Sequence, residues 1–554
     1  MVSPLAIKSP LLKPLSALNV VQRGGAAYYR ELRNSADEVI AAGAWINILD
    51  ANLMSLPMEA EVLPHCRHAA VRMRAFKYFE SVFEHDKARQ AAETTAPSGS
   101  DSEQRAMLAE LAHDYAAVAE AEGSLYLATG DLTHLRLASE KAEIAGGWRA
   151  SLTWALRAVA IAPLNPVPVQ RLFMVLESSA QPDLLEEAAQ IFISRNLHLQ
   201  ISQIFLAGAA LLRGDAKGSL AKLKPLDDTR ILANPILAPY LGAVRALRAQ
   251  AADKVGDYRR AYEDFVALNA AEKSSEMNPA DFYRGVEVRS KLNVPPLPPS
   301  ARRNVVQMLG FPRSGTTLLE NVLATHPDIE TFEETSALVV AIDRIERVVL
   351  GKAGPEPLET TFGEARERYY SELDLLRKKP GAKVLIDKMP IRTADTAFVV
   401  KLFPEWKYIF SIRHPYDVVL SCFKQRFQPN PAMENFRTID DSIRLYDFSM
   451  TEWFKHHTMD DPSVHYVRYD ELVTNFEPVT RGVLDFLGVP WDDVVHDFSK
   501  TAENRAAKTP SYQKVRQGLS IGVQTQWKNY RFAFQSDTAR LLKKWAEFFG
   551  YHVE

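Results

Sequence analysis

Residues Val305 to Thr317 read VVQMLGFPRSGTT, and this stretch decides how the C-terminal half of the chain folds. The apolar run at 304–309 has the character of a buried strand, and Gly310 to Thr317 follows it without a spacer. Gly310 and Gly315 let the backbone curl so that amide N–H groups converge on one point. From Thr316, TTLLENVLATH has the spacing of a helix whose positive end faces that point, and a strand, loop and helix so arranged cradle an anion. Arg313 adds a planar guanidinium fork suited to a tetrahedral oxyanion, beside the amides and hydroxyls of Ser314, Gly315, Thr316 and Thr317. A nucleoside-triphosphate loop of the same G-x-x-x-x-G spacing continues with lysine, whereas this chain has Thr316. Without that lysine the magnesium-balanced tail of ATP is a poorer guest than a less highly charged donor. Taken alone, the spacing would also suit an ordinary strand-turn-helix corner.

A second segment, KYIFSIRHPYDVVLSCF from Lys407 to Phe423, reads as a strand over 408–412, a turn carrying Arg413, and a helix beginning near Tyr416. Where a triphosphatase would commonly end this strand in a magnesium-binding Asp, the chain places a cation. Arg413 and Ser421 flank the turn. Between the two segments lies LIDKMP, in which Lys388 closes another strand and is expected at the same sheet edge.

The two segments, in this order with LIDKMP between them, are similar to the sulfotransferase superfamily, and the resemblance covers roughly residues 303 to 550. It implies that the first loop holds the 5'-phosphosulfate of 3'-phosphoadenylyl sulfate (PAPS). Arg413 and Ser421 would hold the 3'-phosphate, Tyr469 would border the adenine, and Arg516, in VRQGLSIGVQTQWKNY, would make a second 3'-phosphate contact. It further implies a general base at Glu334, because HPDIETFEETSAL resembles the Glu-Glu-Thr context of tyrosylprotein sulfotransferases. The other candidate base is His326, since cytosolic members of the superfamily use histidine, and the plainer reading of Glu333 and Glu334 is a solvated acidic turn. Lys388 and Ser511 match a lysine and a serine that steady charge on the leaving group, and no metal is required. Two departures separate the chain from the tyrosylprotein enzymes. Gln526 stands where they carry lysine before the tryptophan, and Ser336 where they carry an arginine that faces acidic peptides.

The rest of the chain bounds this reading. At 554 residues it is too long for a single core. Its 66 Lys and Arg against 69 Asp and Glu leave no global charge to attract nucleic acid or a membrane surface. Cys66 and Cys422, far apart in sequence, offer neither a disulfide framework nor metal-ligand spacing. The N-terminus, broken by Pro4, Pro10 and Pro14, lacks the apolar core of a signal peptide, and the apolar stretch Ile204 to Leu212 is too short to span a bilayer. A cytoplasmic protein is expected.

Residues 25–292 are rich in alanine and leucine at helical spacing, with helix boundaries at Gly130-Asp131, Gly214-Asp215 and Gly256-Asp257. In GDYRRAYEDFVALN the residues Tyr258, Ala261, Tyr262, Phe265 and Leu268 share one face. This resembles a tetratricopeptide unit, which implies a helical-repeat domain offering a docking surface to a partner protein; an irregular helical bundle is the alternative. Glu93 to Glu103 reads as a loop of small and polar residues. The proline spacer VPPLPPS at 294–300 places a linker at 293–302, between an extension (1–24) with its helical domain (25–292) and a domain of alternating strand and helix (303–554). That alternation predicts a P-loop-type α/β domain with a parallel sheet. The function expected is sulfuryl transfer from PAPS to a hydroxyl on a protein, glycan or carrier-bound acceptor. The competing readings are an ATP-dependent phosphotransferase and a noncatalytic scaffold with a nucleotide-sensing domain.

Overall fold

Five short apolar runs pair, every neighbour parallel, into one sheet: β1 (Val305–Gly310), β2 (Ile329–Glu333), β3 (Val384–Lys388), β4 (Lys407–Ile412) and β5 (Val464–Arg468), in the order β2-β3-β1-β4-β5. They belong to a computed structural model that describes residues 7–23, 25–51, 61–81, 114–272, 276–295, 304–349, 357–427, 429–498 and 525–553, with a few isolated positions besides. The chain divides into two compact units, Met1–Asp264 and Phe265–Glu554.

In the second unit the sheet is covered on its faces, which is why β1 is buried at every position and its sequence runs apolar without alternation. The helices that concern the site are α1 (Thr316–Thr325), α2 (Ala337–Val349), α3 (Leu358–Leu376), α4 (Thr396–Leu402), α5 (Pro415–Phe423), α6 (Ile439–Phe454) and α7 (Tyr469–Thr474). The chain leaves β1 for β2 and β3 on one side and then crosses to β4 on the other. That reversal opens a crevice at the carboxyl end of β1, where open α/β sheets bind their ligands. The strands expected at 304–309, 383–388 and 408–412 and from 464 are all present. The fifth, β2, ends at Glu333, in the stretch whose plainer reading is a solvated acidic turn. Its pairing with β3 sets Glu333 opposite Lys388.

The sheet carries a polar knot in its interior. Asp387 accepts from Tyr369 Oη on α3 at 2.8 Å and from Arg392 Nη1 at 2.6 Å, while Gln307 Nε2 donates to the Tyr369 oxygen at 2.8 Å and Arg392 also donates to Gln307 Oε1. All four side chains are buried. Burial first, and the Asp387 charge after it, push the Tyr369 phenol well above its ordinary value, so it remains a donor. Asp387 precedes Lys388, so the knot fixes the end of β3.

The first unit is helical. Gly130, at φ +78, ends the helix Tyr115–Thr129, and the Asp131 carboxylate accepts from the Thr133 N–H at 2.8 Å to open the next. Gly214 with Asp215 repeats this device, and Gly256 caps the helix Leu241–Val255 at φ +86. Small residues let helices close in: a Cβ on Gly123 would lie 2.1 Å from the Trp154 ring. Leu12, Leu15 and Leu18, in the stretch expected to be an extension, are fully buried in the core of this unit.

The boundary between the units falls ahead of the 293–302 spacer for a physical reason. Phe265 meets Phe423 edge to face, Asn269 Nδ2 donates to the Phe423 carbonyl at 3.0 Å, and Arg289 pairs with Asp395 at 2.6 Å. Residues 265–290 therefore pack with the sheet-bearing unit. Most of 93–103 and part of the spacer lie outside the described residues. Among those described, no helix is long and apolar enough to cross a membrane.

Arg392→Met leaves the Asp387 carboxylate buried without its cation and should cost about 3–5 kcal/mol, seen as a lowered denaturant midpoint of the second unit. An unchanged midpoint would show that the knot contributes nothing to holding β3.

Candidate active site

Gly310 leaves β1 at φ +142 and Gly315 precedes α1 at φ +99, backbone territory that side chains avoid. Space excludes a side chain as well. A Cβ on Gly310 would sit 2.7 Å from the Ser411 carbonyl oxygen, and one on Gly315 would sit 2.4 Å from Cδ2 of Tyr469. The Thr393 hydroxyl pins the start of the loop, accepting from the Gly310 N–H at 3.1 Å and donating to its carbonyl at 2.6 Å. Ser314, Thr316 and Thr317 are buried around the turn.

Two guanidiniums meet at this loop. Arg313, itself at φ +76, donates from Nε to Ser421 Oγ on α5 at 3.1 Å, and Arg413 donates from Nη1 to the Arg313 carbonyl at 3.2 Å. Burial first, and the Arg413 charge as well, lower the Arg313 guanidinium from its ordinary value, although arginine stays charged. An anion held by the loop offsets that repulsion. The Arg413 guanidinium also lies 4.6 Å above the Tyr469 ring. Tyr469 is the first residue of α7, and its ring packs against Gly315 and Arg413. Beside Ser421, burial pushes the Cys422 thiol up, so it remains a neutral donor to the Pro312 carbonyl at 3.2 Å.

Along the same sheet edge lies a cluster of opposite sign. The Lys388 ammonium is fully buried, with Glu334 Oε1 at 3.0 Å, Glu333 Oε1 at 3.1 Å and Glu320 Oε2 at 3.4 Å. Burial would depress this lysine, yet the charges of Glu333, Glu320 and Glu334 outweigh it and raise the ammonium above its ordinary value. Glu334 sits just past β2 in left-handed backbone, φ +48, with its N–H donated to the Lys388 carbonyl at 2.8 Å. Its side chain is 39% exposed, at the lip of the cluster.

Arg313, Ser314, Gly315, Thr316, Thr317, Arg413, Ser421 and Tyr469 therefore gather at one loop, with Glu334 and Lys388 beyond the neighbouring strand end. His326 does not join them. Its Nε2 bonds the Pro490 carbonyl at 2.9 Å and its Nδ1 accepts from the Asp328 N–H at 3.1 Å, so both ring nitrogens hold backbone and neither is available as a base. Ser511 and Arg516 lie outside the described residues. Trp527 docks on the first turn of α5, its N–H donating to Asp417 Oδ1 at 3.0 Å and its ring lying against His414 and Tyr416. Glu320 escaped notice in the sequence, although a glutamate between Leu319 and Val322 on a helix facing a sheet is a signal of buried charge. Among the described residues no group of three or more His, Cys, Asp or Glu side chains is arranged to hold a metal ion.

Residues 306–493 match the model of a family described as the sulfotransferase family. Among curated relatives, an uncharacterized protein of Aquifex aeolicus (strain VF5) is 28% identical over 237 residues, 40% of this chain and 30% of its own length. Protein-tyrosine sulfotransferase 1 of Danio rerio is 26% identical over 194 residues, 34% of this chain and 53% of its own. The chain thus spans about half or less of the length of these relatives. Among solved structures, the sulfotransferase domain of the Synechococcus PCC 7002 olefin synthase is 21% identical, with 48% of this chain and all of that one covered. The TM-score of that pair is 0.36.

Lys388→Met would leave three carboxylates facing one another. They would take up protons in the folded state more readily than in the unfolded one, so the variant should lose stability as pH rises and regain it as pH falls through the carboxylate range. Thermal melts between about pH 4.5 and 8 check this. A variant whose loss of stability is the same at every pH would overturn the charge assignment.

Proposed function

We propose that the chain transfers a sulfuryl group from PAPS to a hydroxyl acceptor, releasing adenosine 3',5'-bisphosphate. The observation that carries the reading is the pairing of Arg313 with Arg413 around an anion loop without lysine, where a nucleotide with phosphates at two ends finds a cation for each. On this reading the 5'-phosphosulfate occupies the loop 310–317. The 3'-phosphate lies at Arg413 and Ser421 with Arg516, and Tyr469 borders the nucleotide. The acceptor oxygen attacks sulfur, and the bond from sulfur to the 5'-phosphate oxygen breaks. The hydroxyl proton passes to the Glu334 carboxylate. Lys388 and Ser511 steady the charge left on the departing phosphate.

The match at 306–493 supports this reading, as does the Glu-Glu-Thr sequence at Glu333. Ser336, standing where tyrosylprotein enzymes carry an arginine, argues against acidic peptide acceptors. The helical unit, which carries none of these residues, is assigned the docking of the acceptor or of a partner protein. The two buried free thiols, Cys66 and Cys422, suit a reducing, cytoplasmic setting.

Calorimetric titration tests the donor: adenosine 3',5'-bisphosphate should bind, while AMP and magnesium ATP should bind far more weakly. A preference for magnesium ATP would turn the assignment to phosphoryl transfer. Arg413→Ala should weaken bisphosphate binding by about 10- to 100-fold, the scale of hydrogen bonds to a charged group. Glu334→Gln should still bind it while turnover falls about 10²- to 10⁴-fold. Near-parental turnover in that variant would remove Glu334 as the base.

A further inference from the structure

An ammonium has three N–H groups to give. Lys388 gives hydrogen bonds to Glu334 at 3.0 Å and to Glu333 at 3.1 Å, and the Glu320 carboxylate lies at ion-pair distance, 3.4 Å. The three partners are not equivalent. Glu320 rides on α1 behind the anion loop, and Glu333 is the cross-strand neighbour of Lys388 in the ladder between β2 and β3. Both are buried with the lysine, and neither leaves it without moving a helix or a strand. Glu334 stands past the end of its strand with its side chain partly in solvent, and a half-exposed ion pair is the weakest of such contacts. The lysine closes β3 beside β1, where the Met389 N–H reaches the Met308 carbonyl at 3.3 Å, two residues before the loop begins at Gly310. In this arrangement the Glu334 Oε1 is taken up by the lysine.

We propose that the Lys388 ammonium, held between Glu320 and Glu333, transfers its hydrogen bond from Glu334 to the 5'-phosphate oxygen of the arriving donor, so that Glu334 becomes a base only when the donor is in place. The inference rests on the sulfuryl-transfer reading and gives it an order, with the donor bound before the acceptor loses its proton. No bond is made or broken in the exchange; one ion pair replaces another. The charged groups facing Glu334 are Lys388 from β3, Glu333 from β2 and Glu320 from α1. Asp387, which Thr335 Oγ1 approaches at 3.5 Å, is balanced by Arg392. The phosphosulfate competes well because it carries two negative charges, one on phosphate and one on sulfate, against the single charge of a carboxylate, and is held by the loop at the same time.

Titration of the full chain with adenosine 3',5'-bisphosphate tests the exchange. Glu334→Gln should bind the bisphosphate about tenfold more tightly than the parent, because the ammonium is no longer contested. In the Lys388→Met background the same substitution should bring no gain. Equal or weaker binding by Glu334→Gln overturns the proposal. So does a gain that persists without Lys388, which would be plain relief of like-charge repulsion. Should Lys388→Met fail to fold, a crystal structure of the parent with bisphosphate decides. Lys388 Nζ beyond hydrogen-bonding reach of Glu334 and on the 5'-phosphate supports the exchange, and an intact pair overturns it. A parent that binds magnesium ATP but no bisphosphate sinks the sulfuryl reading and this inference together. A parent that binds the bisphosphate without exchange sinks this inference alone.

Discussion

β1 is paired on both sides, with Met308 opposite Lys388 and Gly310 opposite Ser411. A parallel ladder admits no one-residue slip without turning every side chain to the other face, so these registers are as firm as the core that buries them. Everything at the carboxyl edge follows from them. Ser411 opposite Gly310 puts Arg413 two residues on, beside the loop, and Lys388 comes to the edge one strand away from it. The crevice is therefore a result of strand order and register, to which the loop adds its amides.

Around that crevice charge is segregated rather than mixed. Arg313 and Arg413 face each other on one side, and three carboxylates share a single ammonium on the other. Neither group is stable by itself: like charges repel, and buried ones lose their hydration. The polar knot of Asp387, Arg392, Tyr369 and Gln307, by contrast, balances one anion against one cation and bonds its neutral members to both. Balanced charge holds the strands, and unbalanced charge is left at the edge, where the proposed donor would complete it. The division accords with the general finding that strained or mismatched groups collect at functional sites.

Much of this was legible in the sequence because its signals were local. Gly310, Gly315 and Arg313 lie within one loop, and Arg413 and Ser421 within one turn and helix. The Gly-Asp junctions of the helical unit needed only the rule that glycine ends a helix in left-handed backbone and aspartate begins the next. What escaped was set by pairing across distance. β2 was hidden because IETFE mixes acids into a short edge strand, and its two glutamates are each met: Lys388 Nζ on Glu333, and the backbone N–H groups of Lys378 and Lys379 with the Arg377 guanidinium on Glu330. Glu320 was hidden for the same reason, its partner being 68 residues away. His326 was the second choice of base behind Glu334, and a histidine before a proline carries no sign of which backbone groups its two nitrogens will hold.

Glu334 occupies left-handed backbone, a conformation that glycine or asparagine adopts more readily than glutamate, and the strain is of order 1 kcal/mol. The residue is thus poorly chosen for folding and, on the proposed reading, well chosen for chemistry. Among descendants of this chain, a lineage that still needs the carboxylate must tolerate the local instability, while one released from that need gains by drifting to glycine or asparagine. Position 334 would then serve as a fossil marker, separating working copies of the domain from those kept for another purpose.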